Sequence, residues 1–217
     1  AETGVNQQVS FAFEDDVLGA DHFSFGLTYF ETTIDDYIYD YAETAPRVYL
    51  VDNVGDMEIN GIEAYIGYDI GNLKTLLSYS DSESELDAIA QYQILDDARI
   101  DREQGETVSL SLDYEFTGMN LSLHWDTLWV GSLEASKHLD TNSLMHKKSA
   151  YTISNFSAHW ESDFGLGVTA GVDNVFDEFY ASHSSRNGTS FHPRFRELYL
   201  MDYEPGRNAK ITISYKF

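Results

Sequence analysis

Four histidines and the cations around them are the side chains of this chain best suited to binding chemistry. His138 and His146 fall in one stretch without strand periodicity and His183 and His192 in another, with Met145 and Met201 close by. Neutral imidazole is a good axial ligand for haem iron and for transition metals, so two such stretches brought together could hold haem or a metal ion. Their spacings match no compact metal motif, and the opposing reading is a set of solvated loop histidines. Arg186, Arg194 and Arg196, with Lys147 and Lys148, crowd into the same stretches of a chain that carries 13 Lys+Arg against 37 Asp+Glu. That contrast could attract an anionic solute, or the cations could pair with phosphates or neighbouring carboxylates.

Catalytic patterns are missing from the sequence. It holds no cysteine, so no thiolate nucleophile, and it shows no G-x-S-x-G elbow, P-loop, dinucleotide fingerprint or H-E-x-x-H. The run from Asp81 to Asp101 is rich in Asp, Glu and Ser, yet lacks the regular ligand spacing of a calcium loop; it reads as a solvated acidic loop. A formal charge of -24 repels a phosphate backbone, which excludes nucleic acid as a partner.

The elements that must position these residues are strands. From Gly206 to Phe217 the residues Ile211, Ile213, Tyr215 and Phe217 alternate with Lys210, Thr212, Ser214 and Lys216, the period of two of an extended chain with unlike faces. The same alternation recurs at Val9–Phe13, Phe23–Tyr29, Ile62–Tyr68, Leu73–Tyr79, Val108–Phe116, Leu121–Trp129 and Leu166–Val172, and less cleanly from Tyr151 to Trp160. Together they give nine strands and no helix. No stretch approaches the roughly 18 apolar residues of a spanning helix. Spanning strands escape that criterion, because each is about 10 residues long and alternates.

The links between strands alternate in length. Ser182–Pro205, Gly131–Ser149 and Asp81–Gly105 are long, with Ala42–Pro46 a shorter member of the set. Ser162–Gly165, Thr117–Gly118 and Gly71–Asn72 are tight, and Glu14–Asp21 closes the first hairpin. One rim therefore carries nearly all the loop mass, the asymmetry of a transmembrane barrel. A soluble sandwich or calyx stays open as the alternative.

The segments Val172–Tyr180 (VDNVFDEFY) and Glu204–Phe217 (EPGRNAKITISYKF) resemble the carboxyl end of the TonB-dependent outer-membrane receptors, with their N-[LV]-F-D-x-x-Y signature. Gly61, Ile62 and Glu63 resemble that family's mid-barrel G-x-E strand, preceded by a similar strand and turn at Phe30–Tyr39. The resemblance implies an all-β, antiparallel up-and-down transmembrane β-barrel, partial here, with about nine of the 22 or so strands of the whole. It implies long extracellular loops, short periplasmic turns, and a plug domain and earlier strands lying outside residues 1–217.

It further implies transport without catalysis: energy-driven uptake across the outer membrane of a Gram-negative bacterium of a scarce bulky solute, a ferric siderophore or haem, as cargo with no resident cofactor. The implied partners are outer-membrane lipid and lipopolysaccharide, the TonB complex acting through the plug, and the barrel-assembly machinery reading Tyr215 and Phe217. Asn174, Phe176, Asp177, Tyr180, Gly206 and Arg207 are expected to fix strand geometry, Gly61 to let the wall pack closely, and Glu63 to line the lumen. Candidate solute contacts are His138, His146, His183, Arg186, His192 and Arg194. Tyr68, Tyr79, Trp125, Trp129 and Tyr151 are expected in the interfacial girdle. A passive porin-like or anchoring barrel, or a soluble ligand-binding sheet, are the alternative functions.

Overall fold

A computed structural model describes residues 1–45, 48–98, 103–134, 136–137, 144–145, 147–185, 187–192, 196–201 and 203–216, with side chains described outside 40–50, 94–95, 135–146 and 186–202. The strands are β1 (Thr3–Asp15), β2 (His22–Ala45), β3 (Val48–Ile70), β4 (Leu73–Ala88), β5 (Thr107–Phe116), β6 (Leu121–Val130), β7 (Ser136–Lys137), β8 (Leu144–Met145), β9 (Tyr151–Glu161), β10 (Leu166–Asp173), β11 (Asn187–His192), β12 (Arg196–Met201) and β13 (Asn208–Tyr215). Nine of them form one antiparallel sheet in the order β1-β2-β3-β4-β5-β6-β9-β10-β13. Each strand pairs with its predecessor in that order, as an up-and-down meander requires. Among the described residues β1 and β13 each have one ladder partner and leave an open edge. The two small pairs, β7 with β8 and β11 with β12, lie inside long loops, where only irregular chain was expected.

Directly opposed residues of an antiparallel ladder share a face, so the register identifies the faces. One row runs Phe13, Phe25, Ile66, Leu77, Leu110. The next runs Phe23, Tyr68, Thr75, Leu112, Trp125, Phe156, Val172, Ala209, and another Tyr114, Leu123, Ala158, Ala170, Ile211. The opposite face carries Glu14, Ser24, Gly67, Leu76, Ser111, Asp126, Asn155, and below them Lys74, Asp113, His124, Ser157, Gly171, Lys210. The apolar face is open: Val9 is 75% exposed, Phe11 60% and Ile213 67%. An apolar surface of nine strands far exceeds the few hundred Å² that water-facing proteins carry. A hydrocarbon surround removes that cost, and the alternation is then apolar out, polar in.

Beyond this band the polarity reverses. On the outward face of β2–β4, Glu31, Asn60, Glu58, Glu83, Glu85 and Asp87 follow Ile62 and Tyr79. On the inward face Val54, Met57, Leu86, Ala88 and Ala98 form a small buried core, with Ile34, Tyr37, Tyr39, Ile59 and Tyr92 packed against it. The outer ends of these strands are thus a water-facing extension with its own core, and the reversal marks where the bilayer stops.

This corrects the expected loop limits. β4 runs on to Ala88, paired with Gly55, so Asp81–Ala88 is strand and not loop. β2 and β3 run on to Ala45 and Val48, leaving of the expected Ala42–Pro46 loop only Pro46, which lies outside the described residues. Irregular chain in this region begins at Ile89, and a 3-10 turn, Ala90–Leu95, brings Tyr92 over the core.

The Tyr92 hydroxyl donates to Asp52 Oδ2 at 2.7 Å. That bond, then burial and the Asp52 charge, raise the phenol's pKa above 10.0. A pKa raised on folding adds stability that is complete below pH 10 and is lost as pH rises through the folded value. Alkaline loosening of this extension, followed by amide exchange at Leu86 and Ile89, should therefore flatten in Tyr92→Phe.

Two inward glycines carry rings in place of side chains. Gly26 opposes Tyr65 and Gly61 opposes Phe30. A Cβ on Gly26 would stand 2.2 Å from the Tyr65 ring, and one on Gly61 would stand 2.6 Å from both Phe30 and the Asp81 carbonyl. Each ring takes the space a side chain on its glycine would fill. Gly26→Ala should cost about 1–3 kcal/mol by overpacking. Because the three atoms nearest to it all belong to the Tyr65 ring, adding Tyr65→Ala should recover part of the loss in urea titrations.

Candidate functional site

Two regions hold the residues singled out above: the polar wall and the rim of long loops. On the wall, a cavity of about 390 Å³ is lined by Ser10, Thr28, Glu63, Tyr65, Ser80 and Ser109. Glu63 is exposed, on the inward face between Thr28 and Ser80. Its hydroxyl neighbours bond among themselves, Ser10 with Thr28 at 3.0 Å and Ser80 with Thr107 at 2.6 Å. Farther round the wall, His124 stands between two carboxylates, Nδ1 at 2.7 Å from Asp113 and Nε2 at 3.4 Å from Asp126. Asp126 also accepts from Asn155 at 2.8 Å. Sequence reasoning passed over His124 because its carboxylate partners lie on a neighbouring strand and two residues along its own. Among the described residues no group of His, Asp or Glu is arranged to hold a metal ion.

At the base of the last loop, four of the motif residues converge. Asn174 ends β10 in the left-handed region, φ 51°, a conformation that asparagine tolerates well. Its side-chain amide donates to the Glu178 carbonyl and accepts from the Glu178 N–H, both at 2.8 Å. Asp177, also left-handed at φ 58°, accepts from the Arg207 N–H at 2.8 Å. Gly206 lies against that same carboxylate, with 2.8 Å from its ideal Cβ position to Oδ1. The Arg207 guanidinium reaches the Val175 carbonyl at 3.4 Å. The two motif segments, read separately in the sequence, thus form one latch joining the start of the loop to β13.

Phe176 turns outward against Trp125, ring centroids 6.2 Å apart. Phe179 stacks on Tyr203 at 4.3 Å, and the Tyr180 carbonyl accepts from Glu204 at 3.0 Å. Burial, with the Glu204 carboxylate and Tyr151 adding to it, raises the Tyr180 phenol above its ordinary value.

Tyr151 departs from expectation. Opposite Val130 on the inward face, it is buried and packs against Tyr180 at 4.6 Å and His183 at 5.5 Å, so it belongs to the loop packing and not to an outward girdle. His183 is wholly buried. Its Nδ1 lies 2.9 Å from the Gln104 carbonyl and its Nε2 3.4 Å from that of Ser149. Lys148 donates to the carbonyls of His183 and Ser185, and Lys147 pairs with Glu134.

His138, His146, Arg186 and Arg194 lie outside the described residues, as does Phe217; His192 has its backbone in β11 and its side chain outside the description. Tyr215 is exposed, opposite Leu166 on the apolar face of the edge strand.

Comparison with known proteins follows the same lines. The FrpB iron transporter from Neisseria meningitidis superposes with a TM-score of 0.71 at 24% identity, over 100% of this chain and 30% of that one. The copper transporter OprC gives 0.72 at 19% identity, over 99% and 31%. The ferripyoverdine receptor of the outer membrane of Pseudomonas aeruginosa gives 0.68 at 18% identity, over 100% and 27%. The chain thus spans about a third of the length of these structures. Comparison with curated proteins gives no match. The family described as TonB dependent receptor-like, beta-barrel matches residues 1–175, and the chain belongs to it, a family of outer-membrane receptors and transporters of Gram-negative bacteria.

Proposed function

We propose that residues 1–217 are the carboxyl-terminal part of a receptor barrel that takes up a bulky iron compound, a ferric siderophore or haem, by energy transduced through TonB. The observation that carries this reading is the pair of unlike faces: an apolar face continuous over nine strands, backed by a polar wall with hydroxyls, carboxylates and His124. Such a wall suits a water-filled lumen holding a plug, and the open edges at β1 and β13 are where further strands of the receptor would pair. The iron transporter and the ferripyoverdine receptor that share the fold support an iron compound as the solute, and the copper transporter is the counter-example among the three.

In this reading the outer loops receive the solute, with His138, His146, His192, Arg186 and Arg194 as its contacts, while the exposed carboxylate of Glu63 faces the lumen. Lipopolysaccharide surrounds the outer ends of the strands, and Tyr215 with Phe217 supplies the assembly signal.

Uptake of haem and of ferric chelates by cells making the intact receptor, with and without TonB, tests the proposal. Uptake of one of these iron sources that is lost without TonB is expected. Open, energy-independent conductance in planar bilayers would instead establish the porin-like alternative.

A further inference from the structure

His183 makes contacts that no loop residue needs for its own segment. It lies in the link between β10 and β13, yet its Nδ1 meets the carbonyl of Gln104, in the link between β4 and β5, and its Nε2 that of Ser149, in the link between β6 and β9. The ring is fully buried and stands edge-on to Tyr151 with the planes at 89°. Lys148, beside Ser149, reaches back to the carbonyls of His183 and Ser185.

The first two links are already joined near the wall, by the Gly131 N–H donating to the Glu106 carbonyl at 2.8 Å. Gly105 closes against Leu133, where a Cβ would stand 2.6 Å from the leucine side chain. Lys148 holds the third to the second, and the imidazole holds it to the first. Removing the donor to a buried carbonyl is unfavourable, so the first and third links share a stake in this ring. Imidazole suits the position because it is flat enough to pack on Tyr151 while its Nδ1–H donates to the Gln104 carbonyl; a neutral ring carries one N–H, so the 3.4 Å approach of Nε2 to the Ser149 carbonyl is a packing contact.

We propose that His183 is a positioning residue that ties the base of the third outer link to that of the first while Lys148 ties it to the second, so that a solute engaging one of these bases displaces all three together. The inference needs no knowledge of the solute. It also gives this histidine a role different from that of a ligand: its nitrogens are turned to the protein's own carbonyls.

The test uses the intact receptor in outer-membrane vesicles, with spin labels on Gln91→Cys, Ser132→Cys and Ser184→Cys, one exposed position in each link. A control pair, Asn72→Cys and Gly118→Cys, sits on the opposite rim. Narrow distance distributions are expected for Gln91 with Ser184 and for Ser132 with Ser184. His183→Phe, which keeps a ring against Tyr151, should abolish the narrow Gln91–Ser184 distribution, while Lys148 on the main-chain carbonyls keeps Ser132–Ser184 narrow and the control pair stays narrow. His183→Gln, which restores an N–H donor for the Gln104 carbonyl, should recover it at least in part. The proposal is overturned if the Gln91–Ser184 distance stays narrow in His183→Phe, or if the control pair broadens with it, which makes His183 a general folding residue. Equal broadening in His183→Gln overturns it too, since ring shape and not hydrogen bonding would then hold the links.

Discussion

Replacing Leu110 by Arg should destabilise the intact barrel by about 2–4 kcal/mol, the cost of a cation on the lipid face near the bilayer midplane. Leu110 stands mid-strand in β5, opposite Leu77 and Thr127 on the apolar face. Its neighbour Ser109 faces the polar wall between Ser78 and Leu128. Ser109→Arg can extend its guanidinium into water and should change stability by less than about 1 kcal/mol. Equilibrium unfolding of the intact receptor in lipid vesicles measures both. A larger loss for Ser109→Arg than for Leu110→Arg would mean that the faces have been read the wrong way round.

The second large effect belongs to the latch. Asn174→Ala removes a donor and an acceptor at once, leaving the Glu178 N–H and carbonyl without their partners, and it sets a residue with a Cβ but no side-chain hydrogen bond in a left-handed conformation. Two orphaned backbone groups and that strain together amount to about 3 kcal/mol. The loss is local, because Val172 and Asp173 remain in the ladder with Ala209 and Asn208. Amide exchange should therefore quicken at Glu178, Asp177 and Arg207 while Val168 and Ile213 keep their protection. Asn174→Asp retains the acceptor for the Glu178 N–H but sets a carboxylate oxygen against the Glu178 carbonyl, so it should lose as much as Asn174→Ala. Uniform protection across the latch in Asn174→Ala would show that these contacts do not hold the loop.

How far the fold could be read in advance depended on where each residue's environment was local. In β5, Val108, Leu110, Leu112 and Tyr114 alternate with Ser109, Ser111 and Asp113, and a side chain's face follows from its own position in the strand. The outer half of β4 gave no such signal. Ser82, Glu83, Ser84 and Glu85 are polar on both faces, and what makes them strand is the ladder to Asn60, Ile59 and Glu58 on β3. Polar alternation with a partner looks like a loop when the partner is unseen.

Tyr151 failed for a related reason. It was grouped with the girdle aromatics by type, whereas its face follows from being opposite Val130. The Gly26–Tyr65 and Gly61–Phe30 contacts likewise depend on cross-strand register.

Within the site, the latch residues were legible as a motif, but their mutual contacts were not. Asn174 holds Glu178 four residues on, whereas Asp177 meets Arg207 thirty residues away. His183 was noticed for the ligating ability of imidazole; its actual partners are main-chain carbonyls of Gln104 and Ser149. Backbone groups have no letter in a sequence, so a side chain that serves them cannot be told there from one that awaits a ligand.

The orientation of the sheet in its surroundings carries the whole account, and site-directed spin labelling along β5 of the intact receptor measures it most directly. Labels at Ser109, Leu110, Ser111 and Leu112 should alternate strictly, those at Leu110 and Leu112 relaxed by oxygen dissolved in the bilayer and those at Ser109 and Ser111 by a water-soluble nickel chelate. Equal access of the nickel chelate to all four, or an alternation of opposite phase, would contradict it.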